Sequence, residues 1–221
     1  MTKRDVLDCL VPLSDLERRA FRMSELRVEH REGKPVIEGH AAVFNQKADI
    51  FGFTEEVAPG AFRDSIGTDD IRALFNHDSN FVLGRNRSKT LELTEDERGL
   101  FISNIPPETQ WARDLLVSIE RGDINQMSFG FRTLDDAWAT VDGVPHRTLK
   151  RVQLFDVSPV TFPAYPQTDV GVAMRSMGQW LKQEGKDPEV TAIIQAAAEA
   201  LAAADARERD LQLKRSANNF L

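Results

Sequence analysis

Apolar and polar residues alternate along several short stretches of the chain, which is the pattern of β-strands with one buried face. Residues 25–29 and 35–44 alternate on either side of a turn at 31–34, and together they predict a hairpin. A second hairpin is predicted at Asp142-Gly143, because this dipeptide favours the positive φ angles of a tight turn. Further strands are expected at residues 71–78, 80–83, 89–93, 100–105 and 146–155. The pattern indicates a β-rich fold of the α+β class.

Two stretches instead repeat their apolar residues at helical spacing. Within residues 108–121, Trp111, Leu115 and Ile119 recur every four residues, which predicts a helix with one buried face. After residue 187, apolar residues spaced by four and three, with many alanines, predict a second and longer helix.

The stretch of residues 125–132 alternates most strictly, with bulky residues on one face and small or polar residues on the other. Met127, Phe129 and Phe131 share the first face, and Ser128, Gly130 and Arg132 share the second. We expect the hydroxyl of Ser128 to lie on an open face, beside a glycine that leaves space. A nucleophile needs this setting, and an ordinary half-exposed strand serine also has it, so the pattern alone leaves both interpretations open.

Composition narrows the functional classes. The chain has 221 residues, with 28 basic and 35 acidic side chains and a net charge of −7. It lacks a basic stripe interleaved with aromatic residues, so nucleic-acid binding is not expected. The chain contains no run of about 18 apolar residues, so no membrane span is expected. The single cysteine, Cys9, excludes an internal disulfide.

The four histidines, at positions 30, 40, 77 and 146, are widely separated in the sequence. No metal-ligand motif and no glycine-rich phosphate loop is present, so neither a metal nor another cofactor is expected. His146 follows the Asp142-Gly143 turn, and we expect it to be exposed.

Three segments together carry a family resemblance. They are LFNHD at residues 74–78, GDINQMSFGFR at 122–132 and LFDVSPVTFPAYPQT at 154–168. In combination they resemble the tailed-phage prohead (capsid maturation) serine protease family, over about residues 17–175. This family is related in fold to the herpesvirus assembly proteases. The resemblance therefore implies a mostly antiparallel sheet closed into a barrel-like form with a few helices.

The resemblance also implies roles for three residues. Ser128 would be the nucleophile and His77 the general base, because a serine hydroxyl needs a base to take its proton. Asp156 would hold the imidazole in place; the phage family uses an acid here, often glutamate, whereas the herpesvirus enzymes use a second histidine. Asp135 and Asp136 remain alternatives for this role, and Asp156 also fits a turn-capping interpretation.

The donors of an oxyanion hole are not fixed by side-chain type, because backbone N–H groups serve as well. Candidates lie in residues 159–167, around Gly130, or at Arg132, which shares the face of Ser128. The three prolines within residues 159–167 predict a stiff, irregular loop that ends the preceding strand.

The resemblance implies a serine endopeptidase that cuts scaffold protein, or a scaffold-like arm of the major capsid protein precursor, and finally itself. It would act inside an assembling procapsid in the host cytoplasm, without a cofactor. A homodimer is expected by analogy with the herpesvirus enzymes. The alternative is a catalytically inactive capsid assembly or scaffolding protein. A small-ester hydrolase is disfavoured, because the chain lacks the G-x-S-x-G elbow.

We divide the chain into three predicted parts. Residues 1–19 form a flexible N-terminal segment with a short helix at 14–19, and residues 20–175 form the protease domain. Residues 176–221 form a helical C-terminal tail, which we expect to be removed during maturation or to engage capsid precursors.

Overall fold

A computed structural model describes residues 16–22, 26–50, 52–162 and 171–185 of the chain. The strands are β1 (Glu17–Arg22), β2 (Arg27–Arg31), β3 (Lys34–Val43), β4 (Ala48–Ile50), β5 (Phe53–Val57), β6 (Arg72–Phe75), β7 (Asp78–Arg85), β8 (Leu91–Glu95), β9 (Gly99–Asn104), β10 (Gln126–Val141) and β11 (Val144–Val160). The α-helices are α1 (Arg63–Thr68), α2 (Gln110–Glu120) and α3 (Gly171–Gln183), and a 3₁₀ turn covers Asn86–Ser88.

The described strands form two sheets, so the α+β, β-rich fold class is confirmed. One sheet has the order β1-β10-β11-β5-β4, with β6 also pairing with β11 and β7 pairing with β6. The other sheet has the order β2-β3-β9-β8. Among the described residues these strands do not close into a single barrel. None of the helices in the same residues combines the length and apolarity needed to span a bilayer.

Both predicted hairpins are confirmed. Strands β2 and β3 pair across Glu32-Gly33, and β10 and β11 pair across Asp142-Gly143. All four turn residues have positive φ angles, as a two-residue hairpin turn requires. The predicted helix is also found as α2, and its buried face holds Ala112, Leu115, Leu116 and Ile119.

The long β10–β11 hairpin contributes much of the hydrophobic core. Met127, Phe129 and Phe131 are fully buried, as the alternation of their strand predicts. The rings of Phe129 and Phe131 stack at 4.9 Å, and Phe62 meets Phe129 edge-on at 5.4 Å. Aromatic side chains bury large apolar areas, so this cluster fixes the inner face of β10 and leaves Ser128 on its opposite face.

Two local predictions are wrong. Residues 17–19 belong to strand β1 rather than to a short helix, because pairing with β10 outweighs the local helix signal. Strand β11 continues through Pro159 to Val160 instead of ending before it. Pro159 is tolerated because its carbonyl accepts from the N–H of Asn76, so its backbone groups face the turn after β6 and its missing N–H is not needed by β10, with which it pairs at Met127.

The chain divides into two compact units, residues 18–165 and the terminal stretches 1–17 with 166–221. Helix α3 lies in the second unit, and its residues 176–183 fall in the stretch predicted as a helical tail; Ala173, Met174, Met177 and Leu181 are buried on it. The helix predicted after residue 187 and most of the predicted tail lie outside the described residues. The three predicted domain boundaries stay predictions.

Candidate active site

Three side chains from distant parts of the sequence form a hydrogen-bonded line. Nε2 of His77 lies 2.7 Å from Oγ of Ser128, and Nδ1 of His77 lies 2.6 Å from Oδ1 of Asp156. A neutral imidazole with its proton on Nδ1 donates to the carboxylate and accepts from the hydroxyl. This order of hydroxyl, imidazole and carboxylate can move a proton from serine to histidine while the acid holds the ring.

The register of the β10–β11 hairpin aligns two members of this line. Ser128 lies opposite Ser158, and Gly130 lies opposite Asp156. Directly opposed residues share a face, so these four positions form a small square on one face of the sheet. Ser128 and Asp156 occupy a diagonal of the square, and such neighbours are about 7–8 Å apart. That separation suits an imidazole that makes a hydrogen bond at each nitrogen.

His77 lies in a two-residue turn between strands β6 and β7. Strand β6 ends at Phe75 and β7 begins at Asp78, and these two residues pair across the turn. Asn76 and His77 between them have φ angles of 54° and 57°. Glycine usually fills such positions, but asparagine and histidine adopt this conformation more readily than most residues. The strand predicted to run from residue 71 to 78 therefore ends at Phe75, because the chain reverses direction there.

Asn76 links this turn to the end of β11 through hydrogen bonds. Its backbone N–H donates to the carbonyl of Pro159 at 3.0 Å. Its side-chain Oδ1 accepts from the N–H of Thr161 at 2.9 Å, and its Nδ2 donates to Oγ1 of Thr161 at 3.2 Å. These three contacts hold the turn that carries His77 against the strand that carries Asp156.

Gly130 is required by the position of the acid. A Cβ atom added to Gly130 would lie 2.3 Å from Oδ2 of Asp156, which is far inside van der Waals contact. The carboxylate thus leans into the space that the missing side chain leaves. Its other oxygen, Oδ1, accepts a second hydrogen bond from the hydroxyl of Ser158 at 2.7 Å.

The site is enclosed. Ser128 exposes 0% of its surface, and the side chains of His77 and Asp156 expose 9% and 10%. The expectation of an open face for the Ser128 hydroxyl is therefore wrong. Alternation assigns a residue to a face of its strand, but it carries no information about what covers that face. Hydrogen bonds are stronger in such a dehydrated setting, and the three groups satisfy one another.

Three aspartates were candidates for the acid that orients the imidazole, and the structure gives them different partners. Asp156 contacts His77, as given above. Asp136 instead accepts from Nε of Arg147 at 2.7 Å, and Asp135 is exposed and lies opposite Arg151.

Most of the described groups that were candidates to donate to an oxyanion already have other contacts. The space at Gly130 holds the carboxylate of Asp156, and negative charge there opposes an oxyanion. Arg132 donates to Gln153 at 3.3 Å and lies over the ring of Phe155. Within residues 159–162, Pro159 has no N–H and the N–H of Thr161 donates to Asn76, while residues 163–167 lie outside the described part of the chain.

A second cluster of the same chemical types lies near the other end of β11. His146 is buried, with 5% of its surface exposed, so its predicted exposure is wrong. Its Nδ1 atom lies 2.7 Å from Oγ1 of Thr54, and its Nε2 atom lies 3.4 Å from Oε1 of Glu56. Strand β5 pairs in parallel with β11 here, with Thr54 opposite His146, and this pairing buries the ring.

Residues 23–183, more than half of the chain, match the model of a family described as caudovirus prohead serine protease. The chain belongs to this family. The resemblance drawn from LFNHD, GDINQMSFGFR and LFDVSPVTFPAYPQT is therefore confirmed. No curated protein and no solved structure matches the chain. Membership of a prohead serine protease family indicates a protease role in capsid maturation, and it does not favour the inactive scaffolding alternative.

Sequence reasoning missed two supporting contacts in this prohead protease family member: those of Ser158 and of Gly130 with the acid. Ser158 had a readable signal, because it follows Asp156 by two residues and so shares its strand face. The turn at Asn76 and His77 was also missed, although this pair of residue types suits positive φ angles. The approach of Asp156 to Gly130 depends on register, which no local pattern gives.

Proposed function

We propose that this protein is a serine endopeptidase in which Ser128 is the nucleophile, His77 the general base and Asp156 the residue that orients the imidazole. The observation that carries this proposal is the continuous hydrogen-bonded line through both nitrogens of His77, at 2.7 Å and 2.6 Å. The family match supports the reaction class independently of this geometry.

In the proposed reaction, Oγ of Ser128 attacks the carbonyl carbon of the scissile peptide bond while its proton passes to Nε2 of His77. Asp156 stabilises the imidazolium that results. The imidazolium then protonates the leaving amine, the C–N bond breaks, and an acyl ester on Ser128 remains. Water, deprotonated by the same imidazole, attacks the ester and restores the hydroxyl. Only protons and the acyl group move, so these steps need no cofactor.

Substrate access requires a local movement in this proposal. A peptide carbonyl must approach Oγ of Ser128, which is fully covered in the described arrangement. In this proposal, productive binding is therefore coupled to opening of the chain around the serine.

The proposed substrates are scaffold protein or a scaffold-like arm of the major capsid protein precursor, followed by the protease itself. Membership of a prohead protease family supports this class of substrate and a location inside the assembling procapsid in the host cytoplasm. Formation of a homodimer and removal of the C-terminal tail stay predictions.

The test is co-expression of the full chain with its capsid protein precursor, comparing wild type with Ser128→Ala. Wild type should shorten the precursor, and Ser128→Ala should slow cleavage by a factor of about 10⁴ or more, because the nucleophile is lost. Ser118→Ala is the matched control, since the hydroxyl of Ser118 donates to the Asp114 carbonyl on α2, away from the proposed site. Normal processing by a folded Ser128→Ala protein would contradict the proposal.

A further inference from the structure

Ser158 is a buried serine that the proposed reaction does not use. It exposes none of its surface, and it lies directly opposite Ser128 in the β10–β11 pairing. Its hydroxyl donates to Oδ1 of Asp156 at 2.7 Å. A buried hydroxyl requires a partner, and here the partner is the carboxylate that also binds the imidazole.

The carboxylate of Asp156 is held at both of its oxygen atoms. Oδ1 accepts from Nδ1 of His77 at 2.6 Å and from Ser158 at 2.7 Å. Oδ2 fills the space over Gly130. A carboxylate with one donor can rotate about its side-chain bonds, whereas two donors on one oxygen and a packed second oxygen define a single orientation. Hydrogen bonds to a charged acceptor are among the stronger ones in proteins.

We propose that Ser158 is a positioning residue for the protease reaction. By fixing the carboxylate of Asp156, it keeps the proton of neutral His77 on Nδ1, so that Nε2 stays free to accept the proton of Ser128. This inference rests on the proposed function and adds a fourth side chain to it. Ser158 touches neither the scissile bond nor the reacting oxygen in this role, and it acts through Asp156.

The test measures the rate of covalent labelling of Ser128 by a fluorophosphonate probe in the full chain. Ser158→Ala should label about ten- to a hundredfold more slowly, which is the usual effect of losing a hydrogen bond to a charged group. Ser158→Thr keeps the hydroxyl and should recover most of the rate.

A double-mutant cycle separates positioning from general packing. If Ser158 acts through Asp156, then Ser158→Ala should have almost no further effect on the labelling rate of an Asp156→Asn protein. Ser158→Cys, which nearly preserves the buried volume and donates only weakly, repeats the measurement in case the alanine variant unfolds. Both variants should be slow for the same reason.

The outcomes distinguish the two claims. If wild type takes up no probe at Ser128, the proposed function fails, and the role of Ser158 fails with it. If wild type is labelled while Ser158→Ala and Ser158→Cys match its rate, only the role of Ser158 is overturned. An equal slowing in the wild-type and Asp156→Asn backgrounds would also overturn it, because the effect would then not pass through the acid.

Discussion

Strand β11 carries two clusters of the same chemical composition, and only one of them resembles catalytic machinery. Near its start, His146 contacts Thr54 and Glu56; near its end, Asp156 contacts His77, which contacts Ser128. Each cluster joins a hydroxyl, an imidazole and a carboxylate, and each histidine is largely buried.

The two clusters differ in geometry and in the support behind the ring. At His146 the carboxylate of Glu56 is 3.4 Å away and also lies 3.4 Å from the Thr148 hydroxyl, so it binds the ring weakly. At His77 both contacts are short, at 2.6 Å and 2.7 Å. His146 extends from the interior of a paired strand, whereas His77 projects from the tip of a hairpin.

This contrast shows that the same residue types can be held in different geometries. The hairpin tip brings the imidazole across the diagonal of two paired strands, and Gly130 leaves room for the acid to meet it. His146, in contrast, is a paired residue of strand β11, so the position of its ring is set by the pairing with β5 and not by a contact with a hydroxyl group.

The comparison predicts opposite effects of removing the two imidazoles. His77→Ala should slow precursor cleavage by about 10⁴-fold or more, because Ser128 loses its base. His146→Gln should leave the cleavage rate within about twofold while lowering the free energy of unfolding by about 1–3 kcal/mol, because buried hydrogen bonds are lost. The two readouts are a gel assay of precursor cleavage and urea denaturation.

If both variants lost cleavage equally when compared at the same folded fraction, the two clusters would not differ in the way proposed. The same conclusion would follow from a His77→Ala protein that cleaves as wild type does. Addition of imidazole to the His77→Ala reaction gives an internal check, since recovered activity would assign the lost function to the ring.

Two glycines at opposite ends of the same hairpin sharpen the comparison. Gly130→Ala should reduce the cleavage rate by about 10²-fold, because the new Cβ atom displaces the Asp156 carboxylate from His77. Gly143→Ala should leave the rate unchanged but cost about 1–2 kcal/mol of stability, since Gly143 has a φ angle of 79° and open space around it. Steady-state cleavage and thermal melting of both variants separate the effects. A fully active Gly130→Ala protein would show that the acid does not need its present position.

The smallest expected effect concerns the base of the hairpin that carries His77. Asp70 accepts from Nε and Nη2 of Arg85 at 2.7 Å and 2.6 Å. Hydrogen bonds from the Arg85 guanidinium lower the pKa of Asp70 from 3.8 to about 2. A carboxylate with a lowered pKa in the folded state stabilises the fold above its unfolded pKa, and this contribution disappears as the pH falls to about 2.

Asp70→Asn should therefore be less stable than wild type near neutral pH, and the difference should shrink between about pH 4 and about pH 2. Urea denaturation of both proteins across this range measures the difference directly. A difference that stays constant with pH would mean that the ion pair does not contribute through ionisation of Asp70. Cleavage near neutral pH should change little, because the contact lies at the base of the hairpin and not at its tip.

Much of this arrangement could be predicted from the sequence, and the missed parts share a cause. Strict alternation around Ser128 and the Asp142-Gly143 dipeptide predict the main hairpin, because both signals are local. The burial of Ser128 and His146, and the continuation of β11 through Pro159, depend on which strands lie alongside. Local patterns do not contain that information.

The candidate site was also predicted in part from the sequence. The family resemblance selected Ser128, His77 and Asp156, and the described geometry brings these three side chains together. The contact of Gly130 with the acid arises from pairing between positions 26 residues apart, so it could not be predicted from either segment alone, whereas Ser158 lies only two residues from Asp156 on the same strand.

The irregularities in the β10–β11 ladder have a consequence for inserted residues. Register shifts occur between Gly130 and Phe131 and again between Thr133 and Asp136, that is, between the turn and the serine. An inserted or deleted residue in regular pairing would carry Ser128 to the opposite side of its sheet. A bulge absorbs one residue of difference, so a residue added between the bulges and the turn would leave Ser128 and Asp156 aligned.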